Sequence, residues 1–106
     1  MVVHKSKVIA DVTIFPVGVG PSVGDYVRAA FKAMRTVKGL KLRPNAMSTV
    51  VEADGLPDVL LATRRAHRTL LKMGAQRIYM MLRIDHRLDK PETARYKLNR
   101  IEGRIR

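Results

Sequence analysis

Residues 7–17 alternate, with Val8, Ala10, Val12 and Ile14 on one side and Ile9, Asp11, Thr13 and Phe15 on the other. A period of two sends successive side chains to opposite faces, so this spacing predicts a strand. Pro16, which lacks an amide donor, and the glycines at 18 and 20 predict where it stops. Ser22 stands three positions before Asp25, a capping-box-like start with Asp in place of the usual Glu or Gln. Val23, Tyr26, Val27, Ala30, Met34 and Val37 then recur at helical spacing, and Gly39 closes the element. Residues 40–53 read as two short strands bent near Pro44 and Asn45. The turn 54–57 opens a second helix, with Pro57 suited to its first turn. Val59, Leu60, Thr63, Ala66, Leu70 and Met73 form its expected buried stripe, Arg64, Arg65, Arg68 and Lys72 its wet face, and Gly74 its end. Residues 77–85 alternate again, with Ile78, Met80, Leu82 and Ile84 on one side. Beyond Pro91 a basic helix is expected from residue 92 to about 105, with a narrow stripe of Tyr96, Leu98, Ile101 and Ile105.

The resulting order is βαββαβ followed by a terminal helix. Right-handed crossovers place both long helices on one face of a four-stranded antiparallel sheet, an α+β ferredoxin-like sandwich. A chain of 106 residues supports one core, so residues 1–106 are expected to form a single domain. Its core spans about residues 7–90, and the basic terminal helix about 91–105. The second face of the sheet is too apolar for a solvated surface, with Ile9, Phe15, Tyr79 and Met81 on it. Either another copy of the chain covers it, making a homodimer or homotetramer through the sheet, or the terminal helix covers it in cis.

Composition narrows the chemistry. The chain has no cysteine, which removes disulfides, thiolate metal sites and cysteine nucleophiles and fits a reducing, cytoplasmic setting. No apolar run approaches the roughly 20 residues needed to cross a bilayer, so no membrane partner is expected. Residues 1–7 read as a short loose leader without the apolar stretch of a secretory signal. Charge is the outlier, with 21 Lys and Arg against 9 Asp and Glu, a formal +12. Such a field fits the solvated surface of a thermophile or a nucleic-acid footprint.

The ordered set Val12-Thr13-Ile14-Phe15-Pro16-Val17-Gly18, Ser22, Tyr26-Val27, Met47-Ser48-Thr49-Val50-Val51-Glu52-Ala53, His67, Gly74, Arg77-Ile78-Tyr79, Ile84-Asp85, Arg87 and Asp89 resembles the small thiamine-binding-like proteins of bacteria and archaea. The match spans roughly residues 8–90. The resemblance implies a ferredoxin-like subunit that assembles through its sheets and a non-catalytic binding role, with thiamine or its hydroxymethylpyrimidine precursor as the ligand. Ser48 stands where the family pattern has glycine, and His86 where a second acid is common.

A site for an aminopyrimidine with a cationic thiazolium needs hydrogen-bonding groups, a carboxylate and an aromatic or apolar wall. Thr49 and Glu52 on a central strand, Asn45 and Ser48 before them, and Tyr26 and Phe15 as stacking partners are the candidates. Glu52 alternatively pairs with Arg77 or Arg83 on a neighbouring strand, because buried carboxylates are usually paired. Thr49 alternatively serves as an ordinary β-branched strand residue. His67 reads as a hydrogen-bonded residue at the margin of the second helix, with no nucleophile beside it, so no catalytic residue is expected. Asp85, His86, Arg87 and Asp89 read as a capping cluster at a strand end, and no metal or cofactor is expected. The segment 16–22 leads from strand to helix as phosphate loops do, but lacks the lysine and spacing of one. The alternative function is a basic nucleic-acid-binding domain. Five aromatics in all, and no RNA-recognition signature on the last strand, weigh against reading bases on the sheet.

Overall fold

The structure, a computed structural model, describes residues 7–103; residues 1–6, expected to be part of a leader, and Ile105 lie outside the described residues. Its elements are β1 (Lys7–Pro16), α1 (Gly24–Met34), β2 (Lys41–Pro44), β3 (Thr49–Ala53), α2 (Leu56–Lys72), β4 (Ile78–Arg87) and α3 (Ala94–Ile101). The strands form one antiparallel sheet in the order β2-β3-β1-β4, the ferredoxin-like arrangement that the alternation predicts. β1 shows why the pattern is legible: Val8, Ala10, Val12, Ile14 and Pro16 are buried under the helices, and the intervening residues are only partly so. The register pairs Val8 with Ala53, Ala10 with Val51 and Val12 with Thr49, so the same face of β3 is buried. Ala30 and Met34 of α1 and Val59, Ala62, Ala66 and Leu70 of α2 complete this core. Alanines at facing positions let the helices sit close to the sheet. A fully buried leucine such as Leu70 contributes about 1.5–3 kcal/mol through removal from water.

Helix ends follow local chemistry. α2 begins with Pro57 in its first turn and closes in a Schellman motif: the Ala75 amide donates to the Leu70 carbonyl at 3.1 Å and the Gly74 amide to Leu71 at 3.0 Å. That geometry needs φ of +90° at residue 74, which glycine adopts without strain. α1 starts differently from the expectation. Val23, not Ser22, is its cap residue and offers no side-chain acceptor, so Ser22 lies one position too early to act as a cap.

Burial departs from the predicted stripes at several positions. Leu60 and Met73 are exposed, while Ala62, absent from the predicted stripe, is fully buried. Arg65 is half-buried and donates to Thr36 Oγ1 at 2.7 Å, tying α2 to the end of α1, so it does not simply face water. On β4, Met80 and Ile84 point to the helix side yet remain more than 40% exposed, because β4 is an edge strand that the helix layer covers only in part, with Ile78 and Leu82 packed against the core. β4 also runs two residues past the predicted end, pairing His86 and Arg87 with Val8 and Lys7. α3 begins at Ala94, after Thr93 as cap, rather than at Glu92. Its expected apolar stripe is barely covered: Leu98 is exposed and Ile101 is 80% exposed.

Candidate functional site

A cleft of about 480 Å³ opens where the start of α1, the C-terminal half of β1 and the turn 45–48 between β2 and β3 meet. This is within the range of roughly 300–1,000 Å³ typical of small-molecule sites. Its floor is the edge of the core, with Val12, Ile14, Ala30 and Met34, and its walls include Val23, Val27, Phe31 and Phe15. The polar residues lining it are few: Asn45, Ser48 and Thr49 from the turn and the start of β3, with Thr13 and Arg28. The turn is held by the Asn45 amide donating to the Ser48 carbonyl at 2.8 Å and by Thr13 Oγ1 donating to the Met47 carbonyl at 3.2 Å. Met47 stands almost wholly exposed at the tip of the turn.

Four of the six predicted ligand residues, Phe15, Asn45, Ser48 and Thr49, therefore share one cleft. Tyr26 does not line it; it packs half-buried on α1 against the core. Glu52 is separated from Thr49 by the pleat. Three residues apart on one strand, they point to opposite faces: Thr49 lies opposite Val12 on the helix side and Glu52 opposite Ile9 on the open side.

Glu52 is only 5% exposed, and its partner is neither Arg77 nor Arg83. Its Oε1 accepts from the Ala94 backbone amide at 2.7 Å, at the first turn of α3. Thr93 Oγ1 accepts from the Tyr96 amide at 3.1 Å in the same turn. A carboxylate at a helix start satisfies an amide that has no partner within the helix and opposes the positive end of the helix dipole. The terminal helix thus covers in cis the end of the open face around Glu52, leaving Tyr79 and Met81 exposed.

The open face carries a polar relay beside the cleft. Ser48 Oγ donates to Asp11 Oδ2 at 2.9 Å, and Arg83 Nη2 lies 3.2 Å from the same oxygen. Asp11 was not among the predicted site residues. The signal for it was a lone acid in an otherwise apolar strand, on the parity opposite the core. Phe15 stacks on Tyr79 at 5.3 Å between ring centroids, next to this relay.

The cluster at the end of β4 is ionic. Arg87 makes a bidentate pair with Asp89, at 2.6 and 2.9 Å, and reaches Glu92 at 2.5 Å, while Asp85 pairs with Lys97. The Arg87 guanidinium holds the Asp89 carboxyl below its ordinary range, and Asp89 in turn raises Arg87. Hydrogen bonding from Arg100, with the positive charge of Lys90, lowers the Tyr96 phenol. No group of three metal-ligating side chains comes together among the described residues. His67 is half-buried on the flank of α2, and its imidazole makes no hydrogen bond among the described residues, contrary to the expectation. No helix among the described residues is long and apolar enough to cross a membrane.

A four-stranded antiparallel sheet with two helices on one face and an apolar cleft at the strand ends defines a ferredoxin-like protein with a small-molecule-sized site. Sequence comparison refines that class. A profile for thiamine-binding proteins matches residues 10–102, and the chain belongs to that family. A UPF0045 protein of Methanocaldococcus jannaschii is 40% identical over 99 residues, covering 93% of this chain and 96% of the relative. Its crystal structure superposes with a TM-score of 0.83 over 93% of this chain and 98% of that one. A Synechocystis relative, also a UPF0045 protein, is 36% identical over 94% of this chain and 81% of its own length. The fold recurs in a Thermotoga maritima protein proposed for thiamine biosynthesis or salvage, at 19% identity and a TM-score of 0.72, covering 90% of this chain and 98% of that one.

Proposed function

We propose that this protein binds a small aminopyrimidine, hydroxymethylpyrimidine in preference to thiamine itself, in the cleft between α1 and the turn 45–48, and that it does so without catalysis. The observation that carries the reading is an apolar cleft of small-molecule size whose few polar lining residues include Asn45 and Thr49 beside the turn 45–48. An aminopyrimidine presents an apolar ring with an alternating edge of donors and acceptors. The Asn45 amide offers both and the Thr49 hydroxyl offers both, while the Ser48 hydroxyl is turned to Asp11 on the open face. The preference for the neutral ligand follows from charge: Arg28 lines the cleft and no carboxylate does, an unfavourable setting for a thiazolium cation. Membership of the thiamine-binding family and the Thermotoga structural relative support the ligand class.

The working form in this reading is a cytoplasmic homodimer or homotetramer built through the sheet. β4 supports it as a ten-residue edge strand that exposes Tyr79 and Met81 on one face and Met80 and Ile84 on the other. Titration calorimetry with hydroxymethylpyrimidine and with thiamine is the test. Heat of binding with hydroxymethylpyrimidine tighter than thiamine is expected, and no heat from either at millimolar ligand overturns the reading. Light scattering should give the mass of two or four chains, and a single-chain mass would remove the assembly.

A further inference from the structure

The cations and anions of this chain are segregated. Every acid in the five ion pairs of the described residues lies on the sheet side, at the β3–α2 turn or around α3: Asp11, Asp54, Asp85, Asp89 and Glu92. The outer surface of the helix layer is the reverse. α1 and α2 together carry six cations, Arg28, Lys32, Arg64, Arg65, Arg68 and Lys72, and two acids, Asp25 and Asp58, each confined to a first turn. Arg28 and Lys32 are four residues apart, and Arg64, Arg68 and Lys72 repeat at the same spacing, so each set forms a column along one helix face. All five are exposed, and none enters an ion pair among the described residues. Arg65, by bonding Thr36, fixes the end of α1 beside the middle of α2, so the two columns run side by side.

A merely solvated charged surface interleaves signs, because like charges four apart on a helix repel and opposite ones attract. Here the sequence stacks like charges on both helices and sends its acids elsewhere. We infer that the outer face of the α1–α2 layer is a docking surface for the phosphate backbone of a nucleic acid. Two parallel cation columns match a polyanion whose charges repeat along a line. The helix layer lies on the opposite side of the sheet from the Tyr79 face, so backbone contact there requires no aromatic platform. The surface engages phosphates and not bases, which makes binding tolerant of sequence. It is independent of the aminopyrimidine reading, although Arg28 borders both sites.

The test is fluorescence anisotropy of labelled mixed-sequence RNA and DNA, single-stranded and duplex, with the full-length protein between 50 and 200 mM salt. Five phosphate contacts predict a log–log salt slope of about −3.5 for single strands to about −4.5 for duplex, a loss of about 100- to 500-fold across that range. The double variant Arg64→Gln/Arg68→Gln should flatten the slope by about 1.4–1.8, and Arg28→Gln/Lys32→Gln should act similarly. Arg83→Gln, on the sheet side, should leave the slope unchanged. Circular dichroism of each variant separates lost binding from lost fold, and the second pair serves if the first does not fold. Absent binding at 50 mM salt overturns the inference, as does binding insensitive to both helix variants. Anionic phosphatidylserine vesicles that bind while oligonucleotides do not would overturn it in favour of a lipid surface.

Discussion

The two faces of β1 belong to the same ten residues and do opposite work. One, with Val8, Ala10, Val12 and Ile14, is dry and uniform and holds the helices. The other, with Ile9, Asp11, Thr13 and Phe15, is half-buried and mixed, and every side chain on it with a polar group is engaged: Asp11 by Ser48 and Arg83, Thr13 by Met47. The first face is apolar filling without directed contacts, which other apolar residues of similar volume can supply. The second is a set of directed contacts that orient the turn carrying the candidate ligand groups. Stability should therefore reside mainly in the helix-side face, and the shape of the cleft in the open one.

Substitutions on the two faces should separate these roles. The largest effect is expected from Leu70→Ala on the covered side, a loss of about 2–5 kcal/mol in denaturant unfolding, because the emptied volume is lined by α2 and the sheet and cannot refill with water. A loss below 1 kcal/mol would mean that the layer is loosely packed. Glu52→Ala should cost about 1–3 kcal/mol by leaving the Ala94 amide without its acceptor, and hydrogen exchange should show α3 opening while β1 stays protected. Equal exchange in α3 of variant and parent would show that Glu52 does not anchor it. Ser48→Ala should cost about 0.5–1.5 kcal/mol, with Arg83 still pairing Asp11, and should loosen the turn 45–48 more than it lowers overall stability.

The smallest expected effect is electrostatic and lies near the end of β4. The folded Asp89 carboxyl is held below its unfolded range by Arg87, so its contribution is present above the ordinary carboxylate range near pH 4 and is lost as pH falls through the lower folded value. Both groups are exposed, so the stability change should be slight, and the readout is the Asp89 side-chain titration followed by NMR. A midpoint at or above the ordinary value would break the pairing with Arg87.

How much of this the sequence disclosed depended on whether a local period or a distant partner decided the outcome. β1 and the Val59, Thr63, Ala66 and Leu70 stripe are readable because periods of 2 and 3.6 map directly to faces. The period does not reveal which strand is at an edge, so Met80 and Ile84 read as core and are not. Glu52 reads from the sequence as a ligand carboxylate on a central strand, but it lies outside the cleft and its partner is a backbone amide 42 residues away, which no side-chain pattern reveals. Its separation from Thr49 was, by contrast, already present in the numbering, since an odd offset on a strand means opposite faces. Asn45, Ser48 and Phe15 came together because a short turn and a strand end meet at the start of α1, a consequence of the βαβ crossover.

Calorimetry on three proteins tests most directly whether the cleft beneath the turn 45–48 takes an aminopyrimidine. The parent should bind hydroxymethylpyrimidine with measurable heat. Asn45→Ala and Thr49→Val should each weaken it by roughly 2- to 12-fold, the equivalent of one hydrogen bond of about 0.5–1.5 kcal/mol. Absence of heat with the parent, or affinity unchanged in both variants, would contradict the site.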